Sequence, residues 1–400
     1  MFNPKHLRAF ITVARAGSVI RSSKIVHRAQ SAVTRSIKEL ERELGVILFE
    51  RRPQGMLMTE FGRTLLQRVD RALAEMETAR QGFQAALPPK TWNEHASIFS
   101  LSASHRRLAI FVELVEQRHM GAVAESLDIS QPAVSQALRE VETSLGVELL
   151  VRSPGGLLPT PLGALLAMHI RRALAELRAA EVEIGSLQGA VSGRVVVGTL
   201  SRGRARLLPH AIVRLTESYP HLTVSTIEGS FEHLATRLRA GDIDFMIGAL
   251  RPPEHTVGFV REVVAHDVLA LMVRQSHPFV RKKTLEFAHI EDAQWVLPPR
   301  GTPTREQLEN AFRQRGLREP KVVVETADLA ITRGLLLESN MMTAVSPHLF
   351  QHEVETRAIS ILPLELPETR RGIGILQRSA SSPSLAARLL MDNIREIGKL

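Results

Sequence analysis

The stretch Ser130-Gln131-Pro132-Ala133-Val134-Ser135-Gln136, running on to Leu145-Gly146-Val147, decides how this chain is read. Ser130 suits a helix N-cap. Pro132 falls in the first turn, where its missing N–H is harmless, and Gly146 supplies a left-handed exit. A helix is therefore expected from about Gln131 to Leu145. Upstream, residues 122–127 predict a short helix, and Leu108, Phe111 and Val115, at i, i+3 and i+7, mark the apolar face of a longer one. Downstream come a hairpin and a helix capped by Thr160 and reaching about Leu187. Two helices across a tight turn, followed by a hairpin, describe a winged helix-turn-helix unit of the DNA-binding kind.

The unit occurs twice. Shifted by 101 residues the chain matches itself at 23 of the 70 positions from Leu7 to Met76, without a gap. Leu7 and Phe10 fall on Leu108 and Phe111. Gln30, Ala32 and Val33 fall on Gln131, Ala133 and Val134, Leu44-Gly45-Val46 on Leu145-Gly146-Val147, and Thr59 on Thr160. A period of this length is a tandem duplication of a unit of about 85 residues. In the first copy the short second helix is expected near 19–26, the third helix from Gln30, and the long helix from Thr59 to about Leu87. The expected division is 1–87, a connector 88–103, a second unit 104–190, and a further domain 191–400.

These residues resemble the LysR-type transcriptional regulator family. The second copy holds the signature in Ala122-Val123-Ala124-Glu125-Ser126-Leu127, Ser130 to Ser135, and Leu145-Gly146-Val147-Glu148-Leu149-Leu150-Val151-Arg152. The first departs more: Ser31 and Thr34 stand where the family has Pro and Ser, and Ser22-Ser23 where it has small alanines. A family member normally carries one such unit, so a pair is the main anomaly. The resemblance implies a DNA-binding regulator controlled by a small-molecule effector, a homo-oligomer working on promoter DNA with RNA polymerase as a further partner. The alternative is a small-molecule-binding protein whose winged units make protein contacts.

The third helix of each unit would enter the major groove, where short polar side chains at its start suit base edges. The candidates are Gln30, Ser31, Thr34 and Arg35 in the first unit, and Ser130, Gln131, Pro132, Ser135 and Gln136 in the second. Lys38 and Arg139, a turn later, would reach phosphate. Arg51, Arg52 and Arg152 sit on the wings, for minor-groove or phosphate contact, with a solvated charge as the alternative for each. Residues 1–103 carry a net charge of +7 and residues 104–190 a net −2, within a total of +9. The first unit should therefore supply more of the salt-dependent grip and the second more of the base readout. The family pairs two linker helices antiparallel between chains. Here one chain holds both, and a 15-residue connector is long enough for an internal pseudo-dimer.

Beyond Gly189–Gly193, a hinge, buried-strand runs such as Val195-Val196-Val197 alternate with helical segments, which means an α/β architecture. The order resembles a periplasmic-binding-protein-like effector domain: subdomain one at about 193–263 and 350–400, subdomain two at about 267–348. Ligands in such folds sit beyond strand ends, at helix N-termini. Thr199, Ser201, Arg202, Ser230, Arg300, Thr302 and Thr304 are the candidates for a carboxylate or phosphate. Helix capping is the alternative for Thr302 and Thr304, and a surface role for Arg202 and Arg204. The stretch from Leu297 to Thr304 resembles family regulators of aromatic-acid or sugar catabolism.

Composition narrows the rest. With no cysteine, thiol catalysis, disulfides and cysteine-held metal are excluded. Aromatics at 4% argue against base-stacking platforms. No apolar run approaches a membrane span, and Met1–Ala14 lacks a cleavage signature, so a cytoplasmic location is expected. His266-Asp267 reads as a strand end, and Gly241-Asp242-Ile243-Asp244 as a helix-to-strand turn rather than a metal site. No catalytic elbow or phosphate loop is present, so neither an enzyme, a cofactor nor a metal is expected.

Overall fold

A computed structural model describes residues 2–19, 29–52, 55–189, 191–200, 207–379 and 382–399, apart from the side chains of Arg51 and Arg52. Beyond Val19, the expected second helix of the first unit falls outside these residues. In the first unit, helix α1 (Pro4–Ala16) buries Leu7 and Phe10. The candidate reading helix α2 (Gln30–Leu44) ends at Gly45, φ 67°. Strands β1 (Phe49–Arg52) and β2 (Gly55–Met58) form the wing. The first linker helix, α3 (Glu60–Ala86), starts where the Thr59 side chain accepts from Gly62 N.

The second unit repeats the order. It has α4 (His105–Gln117), α5 (Met120–Ser126), reading helix α6 (Gln131–Leu145), wing strands β3 (Leu150–Ser153) and β4 (Gly156–Pro159), and the second linker helix α7 (Pro161–Leu187). Ser130 accepts from Ala133 N and Thr160 from Gly163 N, as N-caps do. Hydrogen bonds repeat with the 101-residue period as well. Leu48 N donates to Glu41 Oε1, and Leu149 N to Glu142 Oε1, each at 2.8 Å. In both units the glutamate near the end of the reading helix fixes the strand that follows.

The two linker helices pack on each other within the chain. Leu65, Val69, Ala72, Met76, Ala79 and Phe83 are buried on one, and Leu166, Ile170, Ala173, Leu177, Ala180 and Ile184 on the other. Both sets advance by alternate steps of four and three, the spacing of a coiled-coil seam. Their direction is antiparallel: Arg68 meets Glu183, Glu75 meets His169, and Gly82 lies against Leu165. Residues 87–104 are no loose tether. Trp92 and Phe99 pack on Phe83 with ring centroids 5.4 and 6.0 Å away, and Asn93 N donates to Leu145 O at 2.8 Å. One continuous core takes in both units, both linker helices and this connector.

The C-terminal part has two subdomains. In the first, a five-stranded sheet of order β6-β5-β7-β14-β8 is built from β5 (Gly193–Thr199), β6 (Leu222–Glu228), β7 (Phe245–Ala249), β8 (Phe259–Asp267) and β14 (Arg371–Arg378). Helices α8 (Leu207–Ser218) and α13 (Leu385–Gly398) bury one face, and α9 (Phe231–Ala240) the other. The second subdomain holds β9 (Ala270–Arg274) between β12 (Thr343–Val345) and β13 (Ile359–Ile361), and the parallel pair β10 (Gln294–Leu297) and β11 (Lys321–Glu325). It carries α10 (Pro303–Gln314), α11 (Leu329–Glu338) and the short α12 (Gln351–Glu355). The return to subdomain one, expected near residue 350, falls at Arg371 instead. β13 pairs with β9, which keeps the chain in subdomain two until then.

Candidate nucleic-acid interface and effector cleft

Each reading helix turns the same five positions outward, four of them exposed and one half-buried. Gln30, Ser31, Arg35 and Lys38 are exposed and Thr34 is half-buried, while Val33, Ile37 and Leu40 face the core. In the second unit Gln131, Pro132, Gln136 and Arg139 are exposed and Ser135 is half-buried, with Val134, Ala137, Leu138 and Val141 buried behind them. The face at i, i+1, i+4, i+5 and i+8 thus turns outward in both, polar throughout in the first unit and polar but for Pro132 in the second, the geometry a major-groove helix needs. Ser130 is exposed but occupied as a cap. Arg152 is exposed on the second wing. The backbone of Arg51 and Arg52 lies in β1, and their side chains fall outside the described residues.

The faces differ in chemistry. Arg35 corresponds to Gln136, whose Nε2 donates to Glu140 Oε1 at 2.9 Å. Glu140 is held in turn by Arg107 at 2.5 Å. The second face therefore keeps a carboxylate beside its reading glutamine, which fits the weaker charge of that unit.

In the C-terminal part, Thr199 is fully buried at the end of β5, 3.4 Å from Ile227 O. Ser201 and Arg202, with Arg204, fall outside the described residues. Ser230 caps α9 through His233 N. Thr302 occupies the N-cap position of α10 but makes no capping bond. Its hydroxyl donates to Pro299 O at 2.7 Å, so the capping alternative fails there. Thr304 accepts from Arg371 Nη2 at 3.0 Å, which ties the start of α10 to the strand returning from subdomain two. Arg300 is exposed and meets Glu319 at 3.5 Å. Arg371 was invisible to local sequence reading, because its partner lies 67 residues away. Asp244 accepts from Val196 N at 2.7 Å, and Asp242 pairs with Arg171 at 3.5 Å. Both are structural, and burial pushes both carboxyls above their ordinary range.

The effector part is docked on the linker helices. Arg68 of the first donates to Glu176 and Glu183 of the second, and to Ser382 O at 2.7 Å. Arg172 Nε donates to Arg239 O at 2.6 Å. Burial alone would lower the Arg68 pKa, but the two carboxylates hold it above its ordinary value.

A helix-turn-helix segment joined to a two-subdomain domain is the build of a DNA-binding regulator with an effector-binding domain. The family profile described as LysR substrate binding domain matches residues 188–398. The one described as bacterial regulatory helix-turn-helix protein, lysR family, matches residues 4–63 and 105–164. The chain belongs to the LysR family of transcriptional regulators, and it is not an enzyme. It is 43% identical over 395 residues to the HTH-type transcriptional regulator GalR of Pseudomonas putida, covering 99% of this chain and 97% of that one. It is 34% identical over 261 residues to the HTH-type transcriptional regulator GbpR of Azospirillum brasilense, covering 64% of this chain and 76% of that one. The crystal structure of CbnR, a LysR family transcriptional regulator, shares the fold at TM-score 0.55 and 22% identity, over 74% of this chain and all of that one. Among the described residues no helix is long and apolar enough to cross a membrane.

Proposed function

We propose that both winged units read promoter DNA and that a small anionic metabolite, a carboxylate in the first instance, bound between the C-terminal subdomains sets how they do so. The observation that carries the first half is the matched exposure of the two reading faces. In each unit four of five equivalent positions are exposed and the fifth is half-buried, while the opposite face is packed. Protein contacts would favour large aromatic anchors such as Trp or Tyr at such a face, and neither face carries one. For the effector, Thr304 and Arg371 bring a hydroxyl and a guanidinium to the N-terminus of α10, where free N–H groups favour an anion. Closure on that anion shifts the subdomains, and the contacts of Arg68, Arg171 and Arg172 pass the shift to the linker helices. A homo-oligomer and contact with RNA polymerase complete this reading.

Selection of genomic fragments by the full chain tests it, beside Gln30→Ala/Arg35→Ala and Gln131→Ala/Gln136→Ala. Each lost bidentate base contact removes about 1–3 kcal/mol of discrimination, so both variants are expected to lose specific binding. Specific binding unchanged in either would remove that unit from the reading. Thr304→Val and Arg371→Met are expected to keep DNA binding and lose the effector response.

A further inference from the structure

The two linker helices are related by an internal two-fold operation. Residue i of the first corresponds to i+101 of the second. Gly82 with Leu165 sums to 247, Glu75 with Arg172 to the same, and Arg68 with Glu176 or Glu183 brackets it. The central pair on this count is Leu73 and Leu174, which are themselves repeat mates. The seam is therefore symmetric in shape but not in chemistry. Arg68 faces Glu176 and Glu183, whereas its mate His169 faces Glu75 at 2.7 Å. The mate of Glu183 is Gly82, and the mate of Leu165, which fills the space over Gly82, is Thr64.

These differences select the partner. Two second helices placed together would set Glu176 and Glu183 of each against the His169 of the other in place of Arg68, leaving them Arg378 and Arg388 of the C-terminal part at 3.8 and 3.6 Å. Two first helices would leave Arg68 one carboxylate, Glu75, and would put Thr64 over Gly82, opening a gap. Only the unlike pair gives both glutamates the buried Arg68 and fills the space over Gly82. The connector then makes the pairing internal. Trp92 and Phe99 pack on Phe83 of the first helix, and Asn93 bonds to Leu145 and Ser144 of the second unit. Its length is taken up by buried contacts, which leaves no slack to reach another molecule.

We propose that a single chain is a complete two-headed reader whose DNA site has two unlike halves, one for each unit, and that a second copy is not needed to occupy both. The inference rests on the reading of both units as DNA-binding. Antiparallel 27-residue helices of about 40 Å place the units at opposite ends, close to the ~34–36 Å between successive major-groove faces. The halves differ at one definable position: Arg35 favours guanine, and Gln136 in its place favours adenine.

The chain has no cysteine, so a full-length Gly82→Cys/Leu165→Cys variant reports pairing without background, and the shorter side chain at 165 makes room at 82. Differently tagged chains are coexpressed and oxidised. A disulfide within one polypeptide, at monomer mass on a denaturing gel, is expected. A cross-linked dimer, or no disulfide in a chain that unfolds cooperatively in reductant, overturns the proposal. If the variant does not fold, a mixing experiment decides. Chains carrying Gln30→Ala/Arg35→Ala are coexpressed with chains carrying Gln131→Ala/Gln136→Ala. The mixture is expected to bind no better than the stronger of the two alone, about tenfold or more below wild type. Recovery to near wild-type binding would show that units of different chains pair. Should one single-unit variant bind like wild type while the internal disulfide still forms, DNA reading by that unit fails and the pairing stands.

Discussion

Arg68 carries more than its share of the molecule. It is 2% exposed, yet it contacts two glutamates of the other linker helix and a carbonyl of the effector part. Removing one partner of a buried ion pair costs about 3–5 kcal/mol, because the remaining charge is stranded. Arg68→Met is expected to lower the urea midpoint accordingly, with part of the loss recovered when Glu183→Gln is added, since Glu176 still faces the buried Arg378 at 3.8 Å. An unrecovered loss would mean that Arg68 acts through packing of its stem instead. His105 gives a pH signature. Burial depresses its pKa below the ordinary 6.5, so the folded chain resists a proton that the unfolded chain accepts. Its contribution is intact above about pH 6.5 and declines as the pH falls below it. Thermal melts of His105→Gln should show less of that acid loss than wild type, and a parallel pair of curves would locate the titration elsewhere.

Most of what lies within one element was legible in the sequence. The reading-helix limits, both threonine caps and the apolar faces follow from residues a few positions apart, and the repeat checks each against its mate. Contacts between distant segments were not legible. The aromatic plug of Phe83, Trp92 and Phe99 has no periodicity, Arg371 finds Thr304 across a fold, and β13 is three residues long. The repeat also shows where one element was rebuilt. Arg15 pairs with Asp70 in the first unit, and the equivalent pair in the second is Glu116 with Arg171, both at 2.8 Å with the charges exchanged. Gly17, φ 65°, aims its carbonyl at Met56 N of the wing. Its counterpart is Arg118, φ 57°, whose carbonyl accepts from Leu157 N at 2.8 Å. A non-glycine residue pays about 1–2 kcal/mol for that conformation, partly offset by the freedom glycine loses on folding. Arg118→Gly is expected to be neutral or to stabilise by up to ~1 kcal/mol in denaturant unfolding, and Arg118→Val to destabilise. A clear loss with glycine would assign the arginine side chain a contact of its own.

On the scale of the whole molecule the two units are unequal partners held in one frame. The first unit with its connector is strongly basic and the second slightly acidic, while the second linker helix carries most of the effector contacts, through Arg171, Arg172, Glu176 and Glu183. The excess positive charge and most of the contacts to the C-terminal part therefore lie on different units. Phosphate neutralisation appears in the salt dependence of binding, with a slope of about −0.9 per phosphate in log–log form. Lys38→Ala, on the exposed side of the first reading helix, should weaken binding to all sequences alike and reduce the slope by about 1. Gln136→Ala should leave the slope unchanged and relax preference at one base pair of one half-site. Arg139→Ala tests the balance between the halves. If the acidic second unit docks chiefly by base contacts, with its carboxylate Glu140 close to the groove, its loss changes the slope less than the loss of Lys38. An equal change at Arg139 and Lys38 would show that both halves grip the backbone alike, and the charge asymmetry would then have to serve something other than DNA.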